Sequence, residues 1–156
     1  MSGRQELQQL SQQLEEVEGE IEGLQATVES IREEQNEADE AIEAIETLES
    51  GSTVQVPLGG GAYVRAEVAD IDEVIVELGA DYAAEFEQEG AIDALESKQE
   101  NLEDRIEEVT EQISELEAES AQLEQQAQQA QQQAMQQQMQ QMGGQGGPGA
   151  GGPDEQ

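Results

Sequence analysis

Leu7, Leu10, Leu14, Val17, Ile21, Leu24, Val28 and Ile31 step along the chain by three and four, and Gln35, Ala38, Ile42 and Ile45 keep the count. An a/d stripe of about six heptads commits this stretch to a helix that must bury its stripe on another helix. Ser50-Gly51 ends it. The stripe resumes at Ile92 and Leu95 and runs through Gln99, Leu102, Ile106, Val109, Ile113, Leu116, Ser120, Leu123, Ala127 and Ala130. Each stripe would rise roughly 65–75 Å at 1.5 Å per residue. Equal stripes around a short insert predict a hairpin, the second helix returning along the first.

Facing Ile45 with Ile92 pairs layers whose residue numbers sum to 137. Ile42 then meets Leu95, Ile31 meets Ile106, Val28 meets Val109, Leu24 meets Ile113 and Leu14 meets Leu123. The polar seam residues Gln35 and Gln99 fall in adjacent layers, where a hydrogen bond between them would pin the register. Arg32 faces Glu103 and Arg105 faces Glu34. A one-heptad slip offers Arg32 and Lys98 acidic partners too, so charge alone leaves the register open; the grouped glutamines favour 137. The same register opposes Glu18 to Glu117, Glu20 to Glu119 and Asp39 to Glu96, like charges that loosen the seam unless salt screens them.

The net charge of −33 with five basic residues leaves no patch to neutralise a nucleic-acid backbone. Anionic membranes are disfavoured for the same reason. Such acidity fits a protein working at high salt. Aromatics are 2% of the chain and confined to Tyr63, Tyr82 and Phe86, so helix pairing rather than an aromatic core holds most of it. Absent cysteine excludes disulfides and thiolate chemistry, and absent histidine removes the commonest general base and zinc ligand. The N-terminus MSGRQELQQL has no apolar signal core, and no segment approaches ~18 apolar residues. A soluble, cytoplasmic protein is expected.

Between the stripes the period falls to two. Val54, Val56 and Leu58 share a face, then Val64, Ala66 and Val68, then Val74, Val76 and Leu78, then Tyr82, Ala84 and Phe86. Gly59-Gly60-Gly61 and Gly79-Ala80-Asp81 stand where tight turns are required, which predicts two β-hairpins joined by residues 69–72. In the first, Val56 and Leu58 are expected to pair back against Val64 and Ala66. Four short strands leave exposed edges, so this hub is expected to complete its sheet with other subunits. Its assembly residues are Val54, Val56, Leu58, Val64, Val68, Val74, Val76, Leu78, Tyr82 and Phe86.

Three constellations imitate chemistry. A phosphate-binding loop needs Lys-Ser/Thr and a helix after its glycines, whereas an alternating strand follows Gly61. Asp70-Ile71-Asp72-Glu73 starts like a calcium loop, but its sixth position is Ile75 rather than glycine and its twelfth is Asp81 rather than glutamate. Adjacent carboxylates such as Glu15-Glu16 and Glu33-Glu34 diverge by about 100° on a helix and read as a solvated face. No enzyme activity, cofactor or metal is expected. The uncharged run from Gln125 to Pro153 extends the helix in its first half, with Met135, Met139 and Met142 at i, i+4 and i+7. From Gly143 the Gly/Pro content predicts disorder.

The fold class is therefore α+β, mostly α: an antiparallel two-helix coiled coil with two central β-hairpins. Residues 5–49 form the first coiled-coil helix, 50–90 the hairpin hub, 91–142 the second helix and 143–156 a disordered tail.

The long arm, the strings PLGGGAYV and VIVELGADY, and the returning arm together resemble the prefoldin family, and among its members the archaeal alpha-type subunits, which carry two hairpins. The resemblance covers residues 5 to about 125. It implies an ATP-independent co-chaperone built as a hexamer of two alpha and four beta subunits, whose hairpins join an oligomeric β-barrel. It further implies coiled-coil tips that grip non-native client proteins and pass them to a group II chaperonin. Both chain ends lie at the arm tip, so the implied grip is Leu7, Leu10 and Leu14 with Leu123, Met135, Met139 and Met142. Leu7 and Leu10 face only Ala130 and Ala127, which would underfill the tip and favour fraying. The alternative is a structural coiled-coil scaffold or spacer dimerised through its β hub.

Overall fold

A computed structural model describes residues 2–151 of the backbone, with side chains over residues 3–142. The order is α1 (Ser2–Thr47), β1 (Thr53–Gly59), β2 (Ala62–Glu67), β3 (Val74–Gly79), β4 (Tyr82–Phe86) and α2 (Gln88–Gly151). Two long helices around two antiparallel strand pairs form an α+β, mostly α fold, with β1 bonded to β2 and β3 to β4 in separate sheets. The α2 backbone continues to Gly151, past residue 143 where the Gly/Pro tail begins. Side chains of that tail, and residues 152–156 altogether, lie outside the described residues. No helix among the described residues is long and apolar enough to cross a membrane.

The chain divides into two compact units, residues 27–109 and residues 1–26 with 110–156. In the first, Ala38, Ile45, Val76, Ala91 and Leu95 are buried together, with Ala41, Ile42, Val74, Phe86, Ile92 and Ala94 packed around them. The hairpin β3–β4 thus seats one face on the helices. Ala91, fully buried, belongs to the same cluster as Val76 of β3. In the second unit Leu10, Val17, Leu123 and Ala130 are buried, flanked by Leu7, Leu14, Ile21, Leu116 and Ala127. A Cβ built on Gly3 would lie 3.5 Å from the Cβ of Ala134, an ordinary contact.

The two seam glutamines meet. The Gln35 side-chain amide donates to the Gln99 carbonyl at 3.4 Å and to the Glu103 carboxylate at 2.9 Å. The Gln99 amide donates to the Gln35 carbonyl at 3.1 Å and to Asp39 at 2.6 Å. Each amide therefore satisfies one backbone and one carboxylate acceptor across the seam, which leaves no lone polar group there.

Helix α1 stops where Thr47 Oγ1 turns back to donate to the carbonyls of Ala44 and Glu43, and Gly51 reverses the chain at φ 93°. Its N–H then donates to the Val68 carbonyl at 2.7 Å, extending the β1–β2 ladder beyond the strands. Helix α2 starts at a cap: Asp72 Oδ1 accepts the Gln88 N–H at 3.3 Å. Asp70 Oδ1 accepts the Asp72 N–H at 3.0 Å. The two aspartates that imitate a calcium loop are thus a turn and a helix cap.

Candidate functional site

The hairpins carry the first candidate surface. In β1–β2, Val54 pairs with Ala66 and Val56 with Val64 on one face, while Gln55 pairs with Arg65 and Pro57 with Tyr63 on the other. In β3–β4, Val74 pairs with Phe86 and Val76 with Ala84, while Ile75 pairs with Glu85 and Glu77 with Ala83. The register shifts once in each hairpin, between Pro57 and Gly59 and between Glu77 and Gly79. Of the expected pairing of Val56 and Leu58 back against Val64 and Ala66, Val56 meets Val64, but Ala66 pairs with Val54 and the part played by Leu58 is corrected here. Gly59 pairs with Ala62, the turn centres on Gly60-Gly61 alone, and Leu58 falls in the bulge without a strand partner.

The hairpins are copies offset by twenty residues, as Val54/Val74, Val56/Val76, Leu58/Leu78 and Gly59/Gly79 show. Their burial is unequal. Val76 is 6% exposed because its own helices cover it, whereas the equivalent Val56 is 40% exposed. Of the ten residues that the period-two pattern marks for assembly, Val74, Val76 and Phe86 are occupied within the chain. Val54 and Val68 are half-buried, and Val56, Leu58, Val64, Leu78 and Tyr82 face solvent. Alternation alone misses Tyr63 and Ile75, exposed on the faces opposite the valines, with Ile75 72% exposed. Their signal was an aromatic and a β-branched residue where a solvated strand face would hold polar ones.

Two polar residues that periodicity also misses hold this hub in place. The Gln88 side-chain amide donates to the carbonyls of Ile45 at 2.7 Å and Leu48 at 3.2 Å, the orphan acceptors at the end of α1. Lys98, the single lysine of the chain, donates to the Glu77 carbonyl at 3.2 Å and ties α2 to β3.

The second candidate surface is the set Leu7, Leu10, Leu14, Leu123, Met135, Met139 and Met142. The leucines come together in one cluster: Leu10 and Leu123 are buried and Leu7 and Leu14 half-buried. Leu10, expected to be underfilled opposite alanine, is only 7% exposed. Met135, Met139 and Met142 are 64%, 75% and 72% exposed. Met135 lies one residue past Ala134, which Gly3 approaches, yet stays uncovered because it points about 100° away from that contact. Among the described residues no cluster of three or more acidic side chains is placed to hold a metal ion.

The model of the family described as Prefoldin subunit matches residues 17–133. Prefoldin subunit alpha of Halorubrum lacusprofundi is 65% identical over 100 residues, 64% of this chain and 66% of its own length. Its counterpart in Haloarcula marismortui is 57% identical over 97 residues, 62% of this chain and 63% of its own. Both matches thus span just under two-thirds of the relatives' length. A chain from the cryo-EM structure of filamentous PFD from Methanocaldococcus jannaschii aligns with a TM-score of 0.50 and 29% identity, over 76% of this chain and 95% of that one.

Proposed function

This chain belongs to the prefoldin family, and from that premise we propose that it is the alpha-type subunit of an ATP-independent co-chaperone, assembled with other prefoldin subunits. The observation that carries the reading is the uncovered apolar surface of the hub. Val56, Leu58, Tyr63 and Val64 on one hairpin and Ile75, Leu78 and Tyr82 on the other are exposed, within one 41-residue insert whose neighbouring helices hide their own apolar stripe. Contiguous exposed apolar residues on sheet faces and edges mark a protein interface.

In this proposal two such chains and four beta-type subunits close a hexamer whose hairpins form a β-barrel body. The coiled-coil tips capture non-native clients through Met135, Met139 and Met142, joined by Leu7, Leu10, Leu14 and Leu123 when the last turns fray. Release to a group II chaperonin needs no nucleotide hydrolysis. Several weak, mobile tips acting on one client gain strength by multivalency.

Light scattering of this chain, alone and with a beta-type prefoldin subunit at molar salt, tests the assembly. A mass near six chains is expected for the mixture; no association between the two overturns it and leaves a scaffold dimerised through its own hub. For client capture, removal of residues 1–14 and 123–156 is expected to abolish protection of an aggregating client. Intact protection would move the grip elsewhere.

A further inference from the structure

Methionine is distributed in this chain in an unusual way. Apart from Met1, every methionine lies at 135, 139 or 142, and there is no cysteine. All three are more than three-fifths exposed on one stripe of α2. From Gln125 to Met142 every other residue is glutamine or alanine. The alanines 127 and 130 are packed in the seam. The buried positions of the helices use leucine, isoleucine, valine and alanine, never methionine. The exposed large apolar side chains of this stretch are therefore all thioethers, and its most readily oxidised atoms are gathered in the same place.

We propose that Met135, Met139 and Met142 form a sulfoxidation site through which peroxides switch the client-binding surface off. A thioether lone pair on sulfur attacks one oxygen of the peroxide and the O–O bond breaks. The S–O bond forms, sulfur loses two electrons, and the second oxygen leaves as water with the two peroxide protons. The product is a sulfoxide, a strong polar acceptor in place of an apolar, polarizable sulfur. No leucine in the seam competes for the oxidant, so three oxygen atoms convert the whole exposed stripe to polar surface while the helix packing stays as it is. Enzymatic sulfoxide reduction by a thiol-dependent reductase restores the thioethers.

This inference rests on the reading that the stripe contacts clients, and the test separates the two. The full chain, assembled with its beta-type partner, is treated with hydrogen peroxide, and oxygen uptake at each methionine is read by peptide mass spectrometry. Client affinity is measured with a fluorescent reduced, unfolded protein. Oxidation at all three positions is expected to weaken client binding about tenfold, the equivalent of 1.4 kcal/mol. Methionine sulfoxide reductases should restore it, and the Met135→Leu/Met139→Leu/Met142→Leu variant should bind equally before and after peroxide. A second variant carries glutamine at all three positions and is left untreated, its helicity checked by circular dichroism. If it loses client binding while the fully oxidised wild type does not, the switch is overturned and the client surface stands. If it binds clients as well as the untreated wild type, the client surface itself falls, and the switch with it.

Discussion

Ala80 and Asp81 sit at φ 52° and 61°, in the left-handed region, where the equivalent turn of the first hairpin has Gly60 and Gly61 at 62° and 80°. Both turns thus demand positive φ at two central residues, the signature of a type I′ turn, and only the first supplies glycine. An alanine held there stores about 1 kcal/mol of strain. Replacing the pair by Asn-Gly, Ala80→Asn with Asp81→Gly, should raise stability by roughly 1 kcal/mol. Thermal unfolding of the assembled protein checks it; an unchanged or lower midpoint contradicts it. Gln88 acts at the same scale. Changing it to glutamate keeps the shape but turns a donor into a charged acceptor against the carbonyls of Ile45 and Leu48. Gln88→Glu should cost about 1–3 kcal/mol, and denaturant titration beside Gln88→Ala tests it. The glutamate variant should be the less stable of the two.

At the scale of the helix pair, Gln35 and Gln99 interrupt a mostly apolar seam and bond each other's backbone. Each amide donates to a backbone carbonyl and a carboxylate of the other helix, and both acceptors survive replacement of the facing glutamine by leucine. Each single change should destabilise by roughly 1–2 kcal/mol and the double change by about the sum of the two. A double change that costs clearly less than that sum would mean that the two amides depend on each other and not only on these backbone and carboxylate acceptors. The double variant should also lose register discipline, since a polar seam residue is what opposes slippage by a heptad.

At the scale of the whole molecule the net charge of −33 is the dominant fact. Self-repulsion of this size opposes any compact state and any assembly of several such chains, and salt shortens its reach to a few Å near 1 M. The midpoint of thermal unfolding should therefore rise steeply between millimolar and molar salt. A midpoint that does not move would show that the like-charged carboxylates along the helices are not felt. Gln99 offsets one of these charges locally, since its amide donates to the Asp39 carboxylate.

The periodicities by themselves determined the two helices, the four strands and the two turn sites, because each depends on local spacing: three and four for a buried helix stripe, two for a strand, glycine for a positive φ. Gln35 and Gln99 were legible as partners because a polar residue in a seam has few other places to go. Strand alternation, in contrast, says which residues share a face and nothing about what covers it. Val56 and Val76 are equivalent in sequence and opposite in burial, because only the second hairpin lies on the helices. The bulge that removes Leu58 from the ladder, the double hydrogen bond of Gln88 and the anchoring of Lys98 on Glu77 were likewise decided by tertiary contact. Each depends on where a backbone carbonyl comes to rest once distant segments have packed, and that position has no signature in the residues that later bind it.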